Sequence, residues 1–128
     1  MKNILIDTNI YTYAMMGDAD VLSLLQEAPL IGFSSISIGE LLSGFKNGKK
    51  LKQNKKELED FLDSPRVTVY PIDEDTAEYY AEILNDLKKT GKPIPTNDIW
   101  IAALAFQHGL KLFTRDKHFS YVPGLLLC

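Results

Sequence analysis

The chain has 128 residues, a formal net charge of −3 and a pI near 5.3, a balance that argues against a general nucleic-acid binder. Its 45% hydrophobic and 24% charged content is that of an ordinary soluble globular protein, and its length predicts a single domain over residues 1–128. The one cysteine, Cys128, excludes an internal disulfide, and neither a signal sequence nor a membrane-length apolar run is evident. These features predict a cytoplasmic protein with no membrane segment.

The first half of the chain predicts two strands and four helices. In chain order these are a strand at residues 3–7, helices at 9–16 and 18–27, a strand at 30–33, and helices at 37–45 and 49–62. The first strand is apolar without alternation, as in a sheet that is covered on both faces. Asp18 is suited to cap the second helix, and the Ser-x-x-Glu spacing of Ser37 and Glu40 predicts a capping box at the start of the third.

The second half predicts the remaining strands and two longer helices. In chain order these are a strand at residues 67–70, a helix from Asp73 or Asp75 to 90, a helix at 97–108, a strand at 110–114 and a short last strand at 125–127. Gly91 and Gly109 are the expected ends of the two helices. Strands that alternate with helices predict an α/β fold with three layers, α/β/α, around a parallel sheet.

Four isolated acids fall where this topology brings distant segments together. Asp7 ends the first strand, Asp116 follows the fourth, and Glu40 lies at the start of the helix entered from the second. The helix that carries Asp98 runs antiparallel to the strand that follows it, so its first turn lies at the same edge. Because ligands of such sheets bind beyond the carboxyl ends of the strands, we expect all four acids at one rim.

Each acid also has a purely structural explanation. Asp98 complements a helix N-terminus, Glu40 closes the capping box, and Asp116 initiates a turn. Asp7 is the hardest to explain in this way, since a carboxylate that ends a buried run is costly unless it is paired. The coincidence of all four at one edge therefore favours a functional site.

Four carboxylates at one rim repel each other unless protons or a cation accompany them. Arg115 and His118 lie close in sequence but offset only part of this charge, and no Cys/His set has zinc spacing. An all-oxygen set of ligands selects Mg²⁺, or alternatively Mn²⁺. Such an ion suits phosphate substrates, so the sequence predicts a metal site for phosphodiester hydrolysis.

With these residues in place, the chain resembles the PIN-domain family, and within it the VapC-like toxin ribonucleases of toxin–antitoxin pairs. The matching segments are Asp7-Thr8-Asn9, residues 34–44 with Glu40, residues 91–105 with Asp98, and residues 114–119 with Asp116. They cover essentially the whole chain in the family's order. Only the four segments together are specific.

The resemblance implies a PIN-like fold with a central parallel sheet of about five strands and an acidic Mg²⁺ pocket. Asp7 and Asp98 correspond to the most direct ligands, and Asp116 to a ligand of a second ion. Glu40 corresponds to a residue that binds the ion through water or orients the nucleophile. The resemblance also implies that Asn9 and Thr114 line the pocket.

The resemblance implies partners as well. PIN toxins cut single-stranded or looped RNA, form homodimers, and are silenced by a cognate antitoxin whose tail lies across the active-site groove. We therefore expect an RNA substrate, an antitoxin, and a homodimer or a toxin–antitoxin hetero-oligomer.

Two alternative functions stay open at this point. One is a housekeeping PIN-type nuclease that processes RNA. The other is a non-catalytic metal-binding α/β interaction module, such as a receiver-like domain. The third strand ends at Tyr70-Pro71-Ile72 without an acid, and Arg115 stands where a receiver would have lysine, so this last alternative is disfavoured.

Two features outside the acidic set each allow more than one interpretation. The stretch Lys46–Lys56 holds six lysines and no acid, which indicates either a solvated helix face or a surface that attracts phosphate. Trp100 is interpreted as a core residue, with a base-stacking platform or part of a dimer face as alternatives.

Overall fold

The computed structural model describes residues 3–128, and its centre is a parallel sheet. The strands are β1 (Ile4–Ile6), β2 (Ile31–Ser34), β3 (Val67–Tyr70) and β4 (Lys111–Phe113). They lie in the order β3-β2-β1-β4, and each neighbouring pair is parallel. The predicted parallel α/β sheet is therefore confirmed, with β1 and β2 at its centre.

The predicted number of strands, about five, was wrong. Within residues 3–128 the sheet has four strands, and the segment at 125–127 makes only one bridge, between Leu112 and Leu127. The amide of Leu112 donates to the carbonyl of Leu126 at 2.8 Å, and the amide of Cys128 donates to the carbonyl of Leu112 at 3.0 Å. The chain reaches this edge from a turn at Gly124, so it aligns with β4 at one residue and the ladder does not extend.

In the part of the chain that the structure describes, six α-helices cover the two faces of the sheet. They are α1 (Thr8–Met15), α2 (Ala19–Glu27), α3 (Ser35–Lys46), α4 (Leu51–Leu62), α5 (Glu74–Thr90) and α6 (Thr96–His108), followed by a short 3-10 helix at Lys117–Tyr121. Asp18 caps α2 as predicted, and Asp73 rather than Asp75 caps α5. Gly91 and Gly109 end α5 and α6 in the left-handed conformation. No helix in residues 3–128 has both the length and the apolar character needed to cross a membrane.

The core has two halves, one on each face of the sheet. Leu5 of β1 points into a cluster with α5 and α6, whereas its neighbours Ile4 and Ile6 point into a cluster with α1 to α4. All three side chains are fully buried. Successive residues of a strand face opposite sides, so this unbroken apolar run requires helices on both faces and confirms the three layers.

The predicted capping box at Ser37 and Glu40 was wrong. The cap of α3 is Ser34, whose hydroxyl accepts from the amide of Ile36 at 3.0 Å. Strand β2 pairs with β3 up to Ser34 itself, opposite Tyr70, and the helix begins at the next residue. Glu40 therefore lies in the second turn of α3, and Ser37 is fully buried and free for another contact.

Trp100 packs between helices rather than in the deep core. Its ring stacks on that of Tyr80 of α5, with the centroids 4.0 Å apart and the planes inclined by 24°. The side chain is half-buried. This contact assigns Trp100 to the α5–α6 packing.

The basic stretch spans the end of α3 and the first half of α4. Lys56 is exposed and pairs with Asp60 one turn later at 2.9 Å. Such a pair is worth little in stability and is typical of a solvated helix face. For Lys56 the structure favours the solvated interpretation.

Candidate active site

A cleft of about 320 Å³ opens at the carboxyl edge of the sheet. Its lining residues come from the start of α1, the second turn of α3, the start of α6 and the segment after β4. They are Asp7, Thr8, Asn9, Glu40, Pro95, Thr96, Asn97, Asp98 and Asp116. The structure thus brings the four predicted acids and Asn9 together, while their roles in metal binding and catalysis stay predictions.

Asp7 forms the floor of this cleft. It follows the buried strand β1, caps α1 and is only 4% exposed. One carboxylate oxygen accepts from the amide of Ile10 at 2.9 Å, and the other accepts from the hydroxyl of Thr114. Burial raises the pKa of Asp7, these two hydrogen bonds counteract the rise, and the charges of Asp116 and Glu40 add to it.

Thr114 joins the ends of the neighbouring strands β1 and β4, which are followed by Asp7 and Asp116. Its hydroxyl donates to Asp7 and accepts from the amide of Asp116 at 2.9 Å. Thr114 thus links the carboxylate of Asp7 to the backbone of Asp116. Thr114 is not among the residues that line the cleft, but it contacts Asp7 directly, and its role in the pocket stays a prediction.

Glu40 is held by a pair of hydroxyl groups that the sequence interpretation missed. The Oγ1 atom of Thr8 lies 2.7 Å from Oε1 of Glu40 and 2.8 Å from Oγ of buried Ser37. A hydroxyl carries one proton, so Ser37 donates to Thr8 and Thr8 donates to the carboxylate. The available signal was a serine three residues before Glu40, which we interpreted as a helix cap.

Asp98 lies in the first turn of α6 and is not used as a cap. The N-cap position is Pro95, which has no side-chain cap hydrogen bond. Burial, followed by the charges of Asp116, Glu40 and Asp7, raises the pKa of Asp98 to about 6. A carboxylate that served only to complement the helix N-terminus would have a lowered pKa, so its surroundings argue against the purely structural explanation.

Asp116 and its neighbour two residues on complete the acidic group. The side chain of Asp116 caps the 3-10 helix by accepting from the amide of His118 at 2.9 Å. Nδ1 of His118 lies 3.2 Å from Oδ1 of Asp116. Asp98, Asp116 and His118 each offer a ligand atom, and these atoms all lie within 4.8 Å of one another.

Arg115 points away from the acids that flank it in sequence. Its guanidinium makes two hydrogen bonds to the carboxylate of Asp18, at 2.7 and 2.9 Å, and lies 4.7 Å from the ring centroid of Tyr13. The sequence suggested that Arg115 offsets part of the charge of the acidic rim. In the structure its guanidinium is paired with Asp18 instead.

The donor chemistry of the cleft fits a divalent metal ion. The carboxylates converge on one open space, and the pKa values of Asp7 and Asp98 are raised first by burial and then by the charges of the neighbouring acids. A cation among them removes that cost. Carboxylate oxygens are the ligands that hard divalent ions prefer in proteins.

The fold and the cleft together define a parallel α/β domain whose strands deliver several carboxylates to one potential metal site. The family model of the PIN domain matches residues 4–125, and the chain belongs to the PIN domain family. The resemblance found in the sequence is thereby confirmed.

Named relatives are similar over nearly the full length. Ribonuclease VapC2 of Haemophilus influenzae is 34% identical over 128 residues, 98% of this chain and 96% of the relative. Toxin FitB of Neisseria gonorrhoeae is 35% identical over 121 residues, 88% of this chain and 87% of the relative. A chain in the crystal structure of VapBC2 from Rickettsia felis bound to a DNA fragment from their promoter superposes with a TM-score of 0.87, at 32% identity, covering 100% of this chain and 98% of that one.

Proposed function

We propose that this protein is a Mg²⁺-dependent endoribonuclease that hydrolyses RNA phosphodiesters and acts as the toxin of a toxin–antitoxin pair. The observation that carries the proposal is the convergence of Asp7, Glu40, Asp98 and Asp116 on one cleft in a member of the PIN family. The names of the relatives, a ribonuclease and a toxin, support the activity and the biological role. In this proposal, residues 1–128 form one nuclease domain.

The acidic residues hold the ion and prepare the site for an anionic substrate. When bound, Mg²⁺ or Mn²⁺ supplies charge neutralisation at a phosphoryl oxygen and lowers the pKa of a coordinated water. Asp7 and Asp98 are the proposed direct ligands, and Asp116 extends the set toward a second ion. The fixed donors to Asp7 orient its oxygens before any ion arrives, which lowers the reorganisation cost of binding.

Glu40 has a different proposed role because it lies on a separate helix and is the most exposed of the four acids. The hydroxyl of Thr8 fixes one of its oxygens at 2.7 Å, which leaves the other oxygen to orient a water molecule beside the substrate phosphate. Asn9 is exposed at the mouth of the cleft and is placed to donate to the substrate.

The proposed partners follow from the same assignment. The substrate is RNA, the regulator is a cognate antitoxin, and the protein acts in the cytoplasm as a homodimer or within a toxin–antitoxin hetero-oligomer. The assembly of VapBC2 on promoter DNA supports a stable protein partner for this chain. Its acidic pI is compatible with an RNA substrate because the ion, rather than the net charge, attracts the phosphate.

The test is expression of the protein alone, beside Asp7→Asn, Asp98→Asn and the exposed control Asp60→Asn. We expect growth arrest and RNA cleavage for the parent and for Asp60→Asn, and loss of both for the two cleft variants. Addition of a chelator to purified parent should stop cleavage, and Mg²⁺ should restore it.

Two results would change the assignment. Equal toxicity in the parent and both cleft variants contradicts the catalytic role of the acids and favours the non-catalytic module. RNA cleavage without growth arrest, and without a small protein that copurifies and inhibits, favours the housekeeping nuclease.

A further inference from the structure

We propose that His118 is a third protein ligand at the ion position formed with Asp98 and Asp116, and that its imidazole shifts the metal preference of the cleft toward first-row transition ions over Mg²⁺. This inference rests on the proposed metal-dependent function. It adds a nitrogen donor to a site that the sequence predicted to be made of oxygen alone.

The spacing of the three side chains is that of a nearly assembled coordination shell. Their ligand atoms all lie within 4.8 Å of one another. In an octahedral shell with bonds of about 2.1 Å, neighbouring ligand atoms are about 3.0 Å apart and opposite ones about 4.2 Å apart. The limit of 4.8 Å is close to the widest separation in such a shell, so the three side chains are near enough to share one ion.

The local backbone holds the imidazole beside the carboxylates. The amide of His118 donates to Oδ1 of Asp116, and Nδ1 of the ring lies 3.2 Å from the same oxygen. The ring of Tyr121 flanks His118 on the same 3-10 helix, with the centroids 6.1 Å apart. Lys92 in turn lies 5.0 Å from the centroid of the Tyr121 ring. The imidazole is thus held beside the Asp116 carboxylate, while the side chain is 53% exposed and has room to turn onto an ion.

Asp7 stands apart from this group. Its two carboxylate oxygens already accept from the amide of Ile10 and from the hydroxyl of Thr114. It lies at the floor of the cleft, outside the group of three metal-ligating side chains found in residues 3–128, which are Asp98, Asp116 and His118.

The chemical consequence follows from the type of donor. Imidazole nitrogen suits iron, cobalt, nickel and zinc, whereas carboxylate and water oxygens suit Mg²⁺. A site with two carboxylates and one imidazole therefore still accepts Mg²⁺ but binds a first-row transition ion more tightly than a site made of oxygen alone.

The chain offers a matched control because it has two histidines. His108 ends α6, and its ring packs against that of Tyr70 at an inclination of 35°, with the centroids 4.2 Å apart. Along α6 it lies ten residues after Asp98, which is about 15 Å at 1.5 Å per residue. In protein without a histidine tag, these two imidazoles are the only ones that can report on the ion.

The experiment is titration of tag-free protein with Co²⁺ and, separately, with Mg²⁺, for the parent, His118→Ala, His118→Asp and His108→Ala. We expect His118→Ala to raise the Kd for Co²⁺ by about tenfold or more while the Kd for Mg²⁺ changes little. His118→Asp should restore an oxygen donor and favour Mg²⁺ over Co²⁺ relative to the parent. In NMR spectra of histidine-labelled parent protein, Co²⁺ should shift and broaden the His118 ring signals far more than those of His108.

The results distinguish a failure of this inference from a failure of the proposed function. Parent protein that binds both ions, with a Co²⁺ affinity unchanged in His118→Ala and His118→Asp and no selective effect on the His118 signals, overturns the inference alone. Parent protein that binds neither ion overturns both. Equal loss of Mg²⁺ and Co²⁺ in the two His118 variants, with unchanged folding by circular dichroism, also rejects the selectivity that we propose.

Discussion

Replacing Asp98 by Asn should stabilise the metal-free protein at neutral pH even though it removes a proposed metal ligand. The surroundings of Asp98 raise its pKa from 3.8 to about 6, so the folded state pays to ionise it. At about 1.4 kcal/mol per pKa unit this corresponds to at most about 3 kcal/mol. Because the side chain is only half-buried, solvent screens much of this effect, and we expect about 1 kcal/mol.

The pH dependence has a definite sign. In the unfolded chain Asp98 is ionised above about pH 4, whereas in the folded protein it is ionised only above about pH 6. Between these values the folded state binds more protons, so stability falls as the pH rises through this window. The loss of folding stability caused by the Asp98 charge is fully present above pH 6 and disappears below pH 4. Asn at this position carries no charge and does not cause this loss.

The assay is thermal unfolding of parent and Asp98→Asn in chelator between pH 4.5 and 8. At pH 7.5 we expect the variant to melt about 3 °C higher than the parent, and the difference should shrink as the pH falls. Addition of Mg²⁺ should raise the melting temperature of the parent more than that of the variant. Asp60→Asn, which changes an exposed pair on α4, is the control and should show neither effect.

The electrostatic reasoning fails if Asp98→Asn melts at or below the parent at pH 7.5 in chelator. It also fails if the difference in melting temperature between the two proteins does not shrink as the pH is lowered. Either result would mean that burial and the neighbouring carboxylates do not disfavour the Asp98 charge.

Three further outcomes follow from the same contacts. The Kd for Mg²⁺, measured by calorimetry, should rise as the pH falls below about 6, because protons then compete with the ion for Asp98. Thr114→Val should destabilise the protein by about 1–3 kcal/mol in denaturant unfolding and abolish cleavage, since it removes the donor to Asp7, whereas Thr114→Ser should keep both. Arg115→Ala should lower kcat for RNA cleavage more than it changes KM, because it frees the segment that Asp18 anchors, and equal kinetics for this variant and the parent would contradict that positioning role.

The meeting of the four acids was predictable because it depends on topology alone. Parallel strands place Asp7 and Asp116 at one edge, and the short turn between α6 and β4 forces the start of α6, with Asp98, to the same edge. These relations require only the type and order of the elements. They tolerate errors of one or two residues in the element boundaries, such as the true start of α3 at Ser35.

The contacts that hold the acids were beyond the sequence because they depend on register and on side-chain direction. Ser37 is free to support Thr8 because α3 begins directly after β2, at Ser35. This start is two residues earlier than the sequence predicted, so Ser37 is not the helix cap. Asp18 was correctly predicted as a helix cap, but its contact with Arg115 joins residues 97 apart in sequence. The fifth strand was also beyond the sequence, since the segment after the turn at Gly124 aligns with β4 at one bridge only, between Leu112 and Leu127.

The acids of the cleft repel each other, and the contacts described for Arg115 and Asp7 show why a cation from outside the protein would stabilise them. Arg115 lies in sequence between Thr114 and Asp116, so its guanidinium could have neutralised the acids. In extended backbone, neighbouring side chains point in opposite directions, and this arrangement sends Arg115 to Asp18 and Tyr13 instead. The donors that do face Asp7 are a neutral hydroxyl and a backbone amide, which orient the carboxylate without cancelling its charge. The fold therefore fixes the geometry of the acids while leaving their repulsion in place, and a divalent cation can remove that repulsion without displacing any of these hydrogen bonds.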